Sequence, residues 1–175
     1  PDPAAAAHSA RLLEQIRVEI TAAGGTLSFA RFMDLALYAP GLGYYRAGAR
    51  KFGLDGDFVT APELSPLFSR CLARQCRPIL EALGGGMLLE LGAGTGVMAA
   101  DLLRELRALD ALPERYAILE LSGELRQRQH QTLAERTPEL LDRVVWLDAL
   151  PDPGLRGVVL GNEVLDALPV ERFRV

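Results

Sequence analysis

The sequence predicts an α/β protein, with a parallel sheet at its centre and a helical segment before it. From Met87 onward, short apolar runs alternate with helical patterns, which is typical of strands joined by right-handed crossovers. The first apolar run leads directly into a loop with glycine at positions 92, 94 and 96. Before Met87 the apolar residues recur at helical spacing, and three glycines at 84–86 separate the two parts.

The predicted N-terminal helical or lid segment covers residues 1–84. Apolar residues at helical spacing indicate a helix over 4–23 and a second, capped by Ser28, over about 29–38. Residues 41–60 are rich in glycine and aromatic residues without a clear period, which is typical of a lid or binding loop, or else of a surface loop. A further helix should run from Pro66 to Leu83, with Pro78 kinking or dividing it.

Residues 85–175 are predicted to form the first part of an α/β core of the Rossmann-like kind. The chain begins at Pro1 rather than Met and ends on the β-like run ERFRV, so we expect the sheet to be truncated, with further strands and a substrate region missing. The predicted strands lie at 87–91, 115–120, 143–147 and 157–161, with helices at about 96–109 and 123–135.

Composition predicts one packed domain and excludes several partners. Of the 175 residues 49% are hydrophobic, the net charge is −4, and no basic run is present to neutralise phosphates, so no nucleic acid is expected. No apolar stretch is long enough to cross a bilayer and the start lacks a signal peptide, which predicts no membrane partner and a cytoplasmic location. Cys71 and Cys76 lie five residues apart, so we expect reduced thiols and no metal site.

The glycine loop indicates a nucleotide-like ligand on the carboxyl end of the first strand, since glycine lets a ligand lie against the backbone. Gly94, Gly96 and Ala99 satisfy a dinucleotide spacing, so NAD is one candidate. Glu90 would repel a pyrophosphate but attract a cationic ligand. Glu90, Gly92, Gly94 and Gly96 therefore fit S-adenosyl-L-methionine, which carries an ammonium and a sulfonium, better than NAD.

Two acids follow later strands and are candidates for the same ligand. Glu120 ends the second strand and could accept hydrogen bonds from ribose hydroxyls, or could instead stabilise the dipole of the next helix. Asp148 follows the third strand and could accept the adenine amino proton, although a surface-turn aspartate fits the spacing equally well.

Asn162 and Glu163 follow the fourth strand, where an open sheet faces the reacting end of its ligand. An amide and a carboxylate there could orient a cationic nucleophile such as a guanidinium. The alternative is that Asn162 caps a short helix, with Glu163 and Asp166 in its first turns.

Four segments together resemble the MidA-type class I S-adenosylmethionine-dependent methyltransferases, a group that includes mitochondrial complex I assembly proteins regarded as protein arginine methyltransferases. The segments are GDFVTAPELS at 56–65, LLELGAGTG at 88–96, YAILELS at 116–122 and GNEVLDALPV at 161–170. The resemblance runs from about residue 24 to the C-terminus. Members of this family continue well past the length of this chain.

The resemblance implies a role for each motif. The methionine part of the ligand would lie on Glu90 and the three loop glycines, with its ribose on Glu120. The 56–63 stretch would cover the site, and Asn162 with Glu163 would face the substrate. The residues implied in the covering stretch are Asp57, Thr60, Pro62 and Glu63.

The expected function is methyl transfer from S-adenosyl-L-methionine to a protein, to arginine by resemblance, with a respiratory complex I subunit as one candidate partner. Glu163 is the expected proton acceptor and Asn162 its neighbour in the site. Two rival functions are an NAD-dependent oxidoreductase and a non-catalytic assembly factor that keeps the fold. The sequence identifies neither the methyl acceptor nor the oligomeric state.

Overall fold

The computed structural model describes residues 3–46 and 59–174, which divide into two compact units. The first contains residues 3–46 and 165–174, and the second contains residues 59–164. In the first unit, Ser28 accepts a hydrogen bond from the Arg31 amide and so begins the second helix, as predicted. Its elements are α1 (Pro3–Ala22), α2 (Phe29–Tyr38) and two 3-10 turns, Tyr44–Arg46 and Leu165–Ala167.

The second unit is the α/β part of the molecule. Its helices are α3 (Ala61–Leu64), α4 (Pro66–Leu83), α5 (Val97–Ala108) and α6 (Gly123–Arg136), and a 3-10 helix covers Pro138–Arg143. Its strands are β1 (Met87–Leu91), β2 (Arg115–Leu119), β3 (Val144–Leu147) and β4 (Gly157–Gly161).

The four strands form a parallel sheet in the order β3-β2-β1-β4. The central strands are buried because helices pack on them, and Leu88, Leu89 and Ile118 are each at most 2% exposed. The predicted parallel sheet with helical crossovers is therefore confirmed. β2 and β3 end or begin one residue inside the predicted ranges, the usual uncertainty of a strand boundary.

Helix α4 shares the core of the sheet unit. Ala73, Cys76 and Leu80 of α4 pack in one cluster with Leu102 and Leu106 of α5. The helix continues through Pro78, which is exposed, so its apolar face stays on the core although one backbone donor is lost. The predicted division of the chain at residue 84 stays a prediction. Helix α4, which precedes that residue, belongs to the same compact unit as the sheet.

The two cysteines lie on different faces of α4, as their spacing predicts. Cys71 is exposed and Cys76 is buried, and both are free thiols. Burial raises the pKa of the Cys76 thiol, which favours its neutral form.

Candidate functional site

The sheet register brings the ends of all four strands into one row. Leu119 pairs with Leu91 and Leu147, and Leu91 pairs with Gly161. The next residue after each of these is, in strand order across the sheet, Asp148, Glu120, Gly92 and Asn162. Because the strands are parallel, these four residues, each the first after its strand, lie at the same carboxyl edge.

The loop glycines have positive φ but different surroundings. Gly92 is exposed with φ +63°, and a Cβ there would lie 3.4 Å from the Val164 side chain. Gly96 is buried with φ +83°, and a Cβ there would lie 3.0 Å from the Gln129 Cα atom. Gly94, between them, has φ +54°. Glycine at 96 is thus required by the close approach of α6, whereas Gly92 leaves backbone open to a ligand.

Glu90 is buried within β1, with only 1% of its surface exposed. The Tyr116 hydroxyl donates a 2.5 Å hydrogen bond to Glu90 Oε2. Burial raises the pKa of Glu90 to about 7, the hydrogen bond from Tyr116 opposes the rise, and the charge of Glu120 adds to it. A cation bound next to this carboxyl would shift it toward its ionised form, which suits the ligand that the sequence predicts.

Glu120 is held in place before any ligand arrives. Its side chain is 8% exposed, and its two oxygens accept from the Ser122 amide at 2.9 Å and from the Gln129 amide group at 3.0 Å. A carboxylate offers about four acceptor positions, so two remain for hydroxyl groups of a ligand. The hydrogen bond from Ser122 also shows Glu120 at the entry to α6, so a ribose acceptor and a helix-entry acid are compatible roles for it.

Gln129 was missed by sequence reasoning. Its buried side chain lies in α6 between Leu125 and Leu133, one turn from each. An uncharged polar residue in the core-facing stripe of a helix is the signal that could have found it, because a buried amide needs partners.

Arg126, also missed, connects the ends of β2 and β3. Its guanidinium donates to the Glu120 carbonyl at 2.7 Å and to the Leu147 carbonyl at 2.5 Å. The same group lies 2.8 Å from an Asp148 carboxylate oxygen, although the Asp148 side chain is 92% exposed. Asp148 therefore stands at the rim of the edge, paired with an arginine.

Helix α3 lies beside the glycine loop. Glu63 accepts a hydrogen bond from the Thr95 hydroxyl, Pro62 is buried, and Thr60 occupies the N-cap position without a side-chain cap bond. The sequence did not predict this helix, because four residues are too few for a periodic pattern. Asp57, predicted for the same covering stretch, lies outside the described residues.

Asn162 and Glu163 form the turn after β4. Asn162 is half-buried, and Glu163 is exposed with φ +54°, a left-handed conformation that is unusual for glutamate. In place of a short helix capped by Asn162, the chain forms only the three-residue 3-10 turn Leu165–Ala167. Val164 packs toward Gly92, which places this turn next to the glycine loop.

A groove of about 410 Å³ runs along the helices of the second unit. It is separate from the row of strand ends, because α3, α4 and α5 supply most of its lining. Its charges balance, with three arginines and three acids. These are Arg70, Arg104 and Arg136 with Glu63, Asp101 and Glu105.

Two absences bear on the partner predictions. Among residues 3–46 and 59–174, no group of three or more His, Cys, Asp or Glu side chains is arranged to hold a metal ion. Within the same described ranges, no helix combines the length and apolar character needed to cross a membrane.

The fold and the edge define a class of protein. An open parallel sheet whose carboxyl edge combines a glycine loop with a buried acid after the next strand is the arrangement of Rossmann-like, nucleotide-type ligand domains. Residues 71–175 match the family of S-adenosyl-L-methionine-dependent methyltransferases. The chain therefore belongs to this methyltransferase family, which confirms the predicted enzyme class and cofactor class and disfavours NAD.

Two solved structures share the fold of this chain, with more than half of the aligned residues identical. A Burkholderia thailandensis protein crystallised with S-adenosyl-homocysteine is 54% identical, with a TM-score of 0.90 over 97% of this chain and 44% of that chain. A native crystal structure from the same organism is 52% identical, with a TM-score of 0.86 over 98% of this chain and 43% of that chain.

Curated relatives are more distant. The protein arginine methyltransferase NDUFAF7, mitochondrial, of Danio rerio is 30% identical over 177 residues, which cover 87% of this chain and 41% of the relative. Its Caenorhabditis elegans homolog is 29% identical over 93% of this chain and 42% of the relative. The chain thus spans about two fifths of the length of these relatives.

The predicted cytoplasmic location is wrong on this comparison, because the curated relatives are named as mitochondrial proteins. The prediction used the lack of a signal peptide and of a long apolar stretch. Those features do not distinguish one aqueous, reducing compartment from another.

Proposed function

We propose that the protein binds S-adenosyl-L-methionine at the carboxyl edge of its sheet and transfers the methyl group to a protein side chain. The observation that supports this most directly is the pre-arranged carboxylate of Glu120, buried beside the glycine loop with acceptor positions to spare. Such an acid suits a ribose diol, which offers two donors together.

In this proposal the binding groups come from three strand ends. Gly92 and Gly94 admit the ligand to the backbone, and Gly96 fixes the loop against α6. Glu90 supplies a buried carboxyl that a neighbouring cation would ionise, and Asp148 accepts a hydrogen bond from the adenine amino group at the rim. The fit is chemical, since a ligand with two positive charges and a diol matches buried carboxyls better than a pyrophosphate does.

The covering role of the segment before α4 is supported by one contact. The Thr95 hydroxyl donates to Glu63, so α3 is attached to the glycine loop itself. We propose that Thr60 and Pro62 border the ligand, that Glu63 positions the loop from outside, and that Asp57 belongs to the same cover.

Glu163 and Asn162 are proposed to act on the acceptor. The bound donor supplies a methyl group on a sulfonium, and the sulfur keeps the bonding pair when the methyl group is transferred. Asn162 would orient the nucleophilic nitrogen, whose lone pair forms the new bond to carbon. Glu163 would accept the proton that this nitrogen loses. The strained backbone at Glu163 supports such a role, because left-handed glutamate persists only where the surroundings hold it.

Arginine is the proposed acceptor residue, supported by the names of relatives that are about 30% identical. A carboxylate beside a guanidinium would pair with its charge and help to remove a proton. A respiratory complex I subunit stays one proposed protein partner. The net charge of −4 favours a basic acceptor over nucleic acid.

The test is calorimetry followed by turnover, both on the full-length protein. We expect S-adenosylhomocysteine to bind and NAD not to bind, and labelled methyl to appear on an arginine-containing protein acceptor. Binding of NAD alone would contradict the proposal. Binding of S-adenosylhomocysteine without transfer to any candidate acceptor would instead support the non-catalytic assembly factor.

A further inference from the structure

The side chain of Gln129 joins the ends of three strands. It is completely buried, and its amide nitrogen donates to the Gly94 carbonyl at 3.1 Å and to Glu120 Oε2 at 3.0 Å. Its amide oxygen accepts from the Trp146 indole at 3.0 Å. Both amide hydrogens and the oxygen are therefore used, each on the end of a different strand or loop.

The orientation of the Gln129 amide follows from its partners. An indole N–H can only donate, whereas a backbone carbonyl and a carboxylate can only accept. The oxygen of Gln129 must consequently face Trp146, and its NH₂ group must face Gly94 and Glu120. A residue of the same size without both functions would leave at least one buried partner unsatisfied.

The backbone geometry brings α6 to the place where this amide is needed. Gly96 lies so close to α6 that a Cβ would come within 3.0 Å of the Gln129 Cα atom and 3.3 Å of its carbonyl oxygen. Gly96 and Gln129 thus form one packed contact, from which the glutamine side chain reaches the loop carbonyl and the acid together.

We propose that Gln129 is a positioning residue of the cofactor site, which fixes Glu120 and the glycine loop relative to each other and makes Trp146 sensitive to cofactor binding. This rests on the proposed function of the same edge. Gln129 occupies one side of the Glu120 carboxylate and Ser122 another, so the remaining acceptor positions point in a defined direction.

A substitution that adds a titrating group helps to distinguish a positioning role of Gln129 from a packing role. Gln129→Glu keeps the size but places a second carboxyl about 3 Å from Glu120, and two such groups share one proton rather than ionise together. At low pH the shared proton restores a donor toward Glu120, whereas at high pH the two groups repel. If Gln129 only filled space, Gln129→Leu would bind as tightly as Gln129→Glu does at low pH, because both keep the volume.

The experiment measures S-adenosylhomocysteine affinity of the full-length protein by calorimetry at pH 5.5 and pH 8. Relative to the wild type at the same pH, Gln129→Leu should bind roughly 10–100-fold more weakly at both values, since two hydrogen bonds to the site are lost. Gln129→Glu should lose roughly as much at pH 8 and recover most of it at pH 5.5.

Two matched controls distinguish a general loss of packing in α6 from a specific effect on the cofactor site. Gln127→Leu makes the same change at an exposed position of α6, and Leu133→Val removes buried volume one turn further along that helix. Both should bind as the wild type does. If Gln129→Leu does not fold, Gln129→Met, which keeps the length without the amide, takes its place in the same comparison with Gln129→Glu.

Trp146 gives a second measurement, because its indole donates to the Gln129 side chain and its emission is isolated by subtracting that of Trp146→Phe. Its emission should change when S-adenosylhomocysteine binds, and saturated Gln129→Leu should lose that change. Wild-type affinity in Gln129→Leu, or equal weakening in Leu133→Val, would overturn the positioning role while the proposed function stands. A wild type that does not bind S-adenosylhomocysteine would overturn both.

Discussion

The two sides of the sheet's carboxyl edge are built differently. On the β1–β2 side, defined by the glycine loop with Glu120, the acid is buried and both of its oxygens have partners. On the β4 side, defined by Asn162 with Glu163, the amide is half-buried and the carboxylate is exposed on a left-handed backbone.

The difference fits two kinds of guest. A small cofactor is bound best by groups that are already oriented, since no ordering cost is then paid on binding. A side chain of another protein must approach from solvent, so the group that receives it has to be reachable. We therefore propose that the β1–β2 side determines cofactor affinity and that the β4 side carries the acceptor chemistry.

The largest expected effect is that of Gly94→Val on the β1–β2 side. A β-branched residue fits φ +54° poorly, and its side chain would enter the space proposed for the ligand. S-adenosylhomocysteine binding should become undetectable by calorimetry. Circular dichroism should confirm that the variant is folded. Normal affinity would show that the ligand does not use this loop.

Glu90 should make stability depend on pH. Its pKa is raised to about 7, so between pH 4.5 and pH 7 the folded state binds more protons than the unfolded state, and stability falls as the pH rises. Glu90→Gln keeps the size without titrating. Between pH 4.5 and pH 8, the unfolding free energy of the wild type should therefore fall by about 3 kcal/mol more than that of Glu90→Gln, measured by urea denaturation. Parallel curves for the two proteins would contradict the raised pKa.

Glu163→Gln should separate the two sides most clearly. Methyl transfer should fall by roughly a hundredfold, the low end of general-base contributions, because the amide does not accept the proton. Affinity for S-adenosylhomocysteine should stay within about twofold, since Glu163 does not belong to the β1–β2 side. Labelled methyl donor with the true acceptor measures the first and calorimetry the second. Wild-type turnover would leave Asn162, or a residue beyond this chain, as the better candidate.

Glu120→Ala should show the opposite pattern to Glu163→Gln. Losing hydrogen bonds from ligand hydroxyls to a charged group should weaken binding by roughly 1–3 kcal/mol. The rate of transfer at saturating cofactor should change less than the affinity does. If affinity is unchanged, Glu120 serves only the entry to α6.

The smallest effect should come from Asp148→Ala at the rim. The Asp148 side chain is 92% exposed, although it pairs with Arg126. Polar contacts of a carboxylate that water surrounds contribute about 0–1 kcal/mol, and we expect the same of its contact with the cofactor. Cofactor affinity should therefore fall by at most about fivefold. A loss as large as that of Glu120→Ala would mean that the rim is covered when the ligand binds.

Sequence periodicity predicted the strands and the long helices because those patterns are local. It also predicted that Glu120, Asp148 and Asn162 lie at one edge of the sheet, because parallel strands end at the same edge. Gln129, Arg126 and Tyr116 were not predicted, because their roles depend on side-chain contacts between residues 6 to 35 positions apart in sequence. Gly96 was assigned to the ligand alone, whereas the approach of α6 explains it independently.

The most direct test of this assignment is a crystal structure of the full-length protein with S-adenosylhomocysteine. We expect the ribose hydroxyls to lie within hydrogen-bond distance of Glu120 and the sulfur to face the Asn162–Glu163 turn. A ligand whose ribose lies at the β4 side, or whose sulfur points away from the Asn162–Glu163 turn, would contradict this assignment.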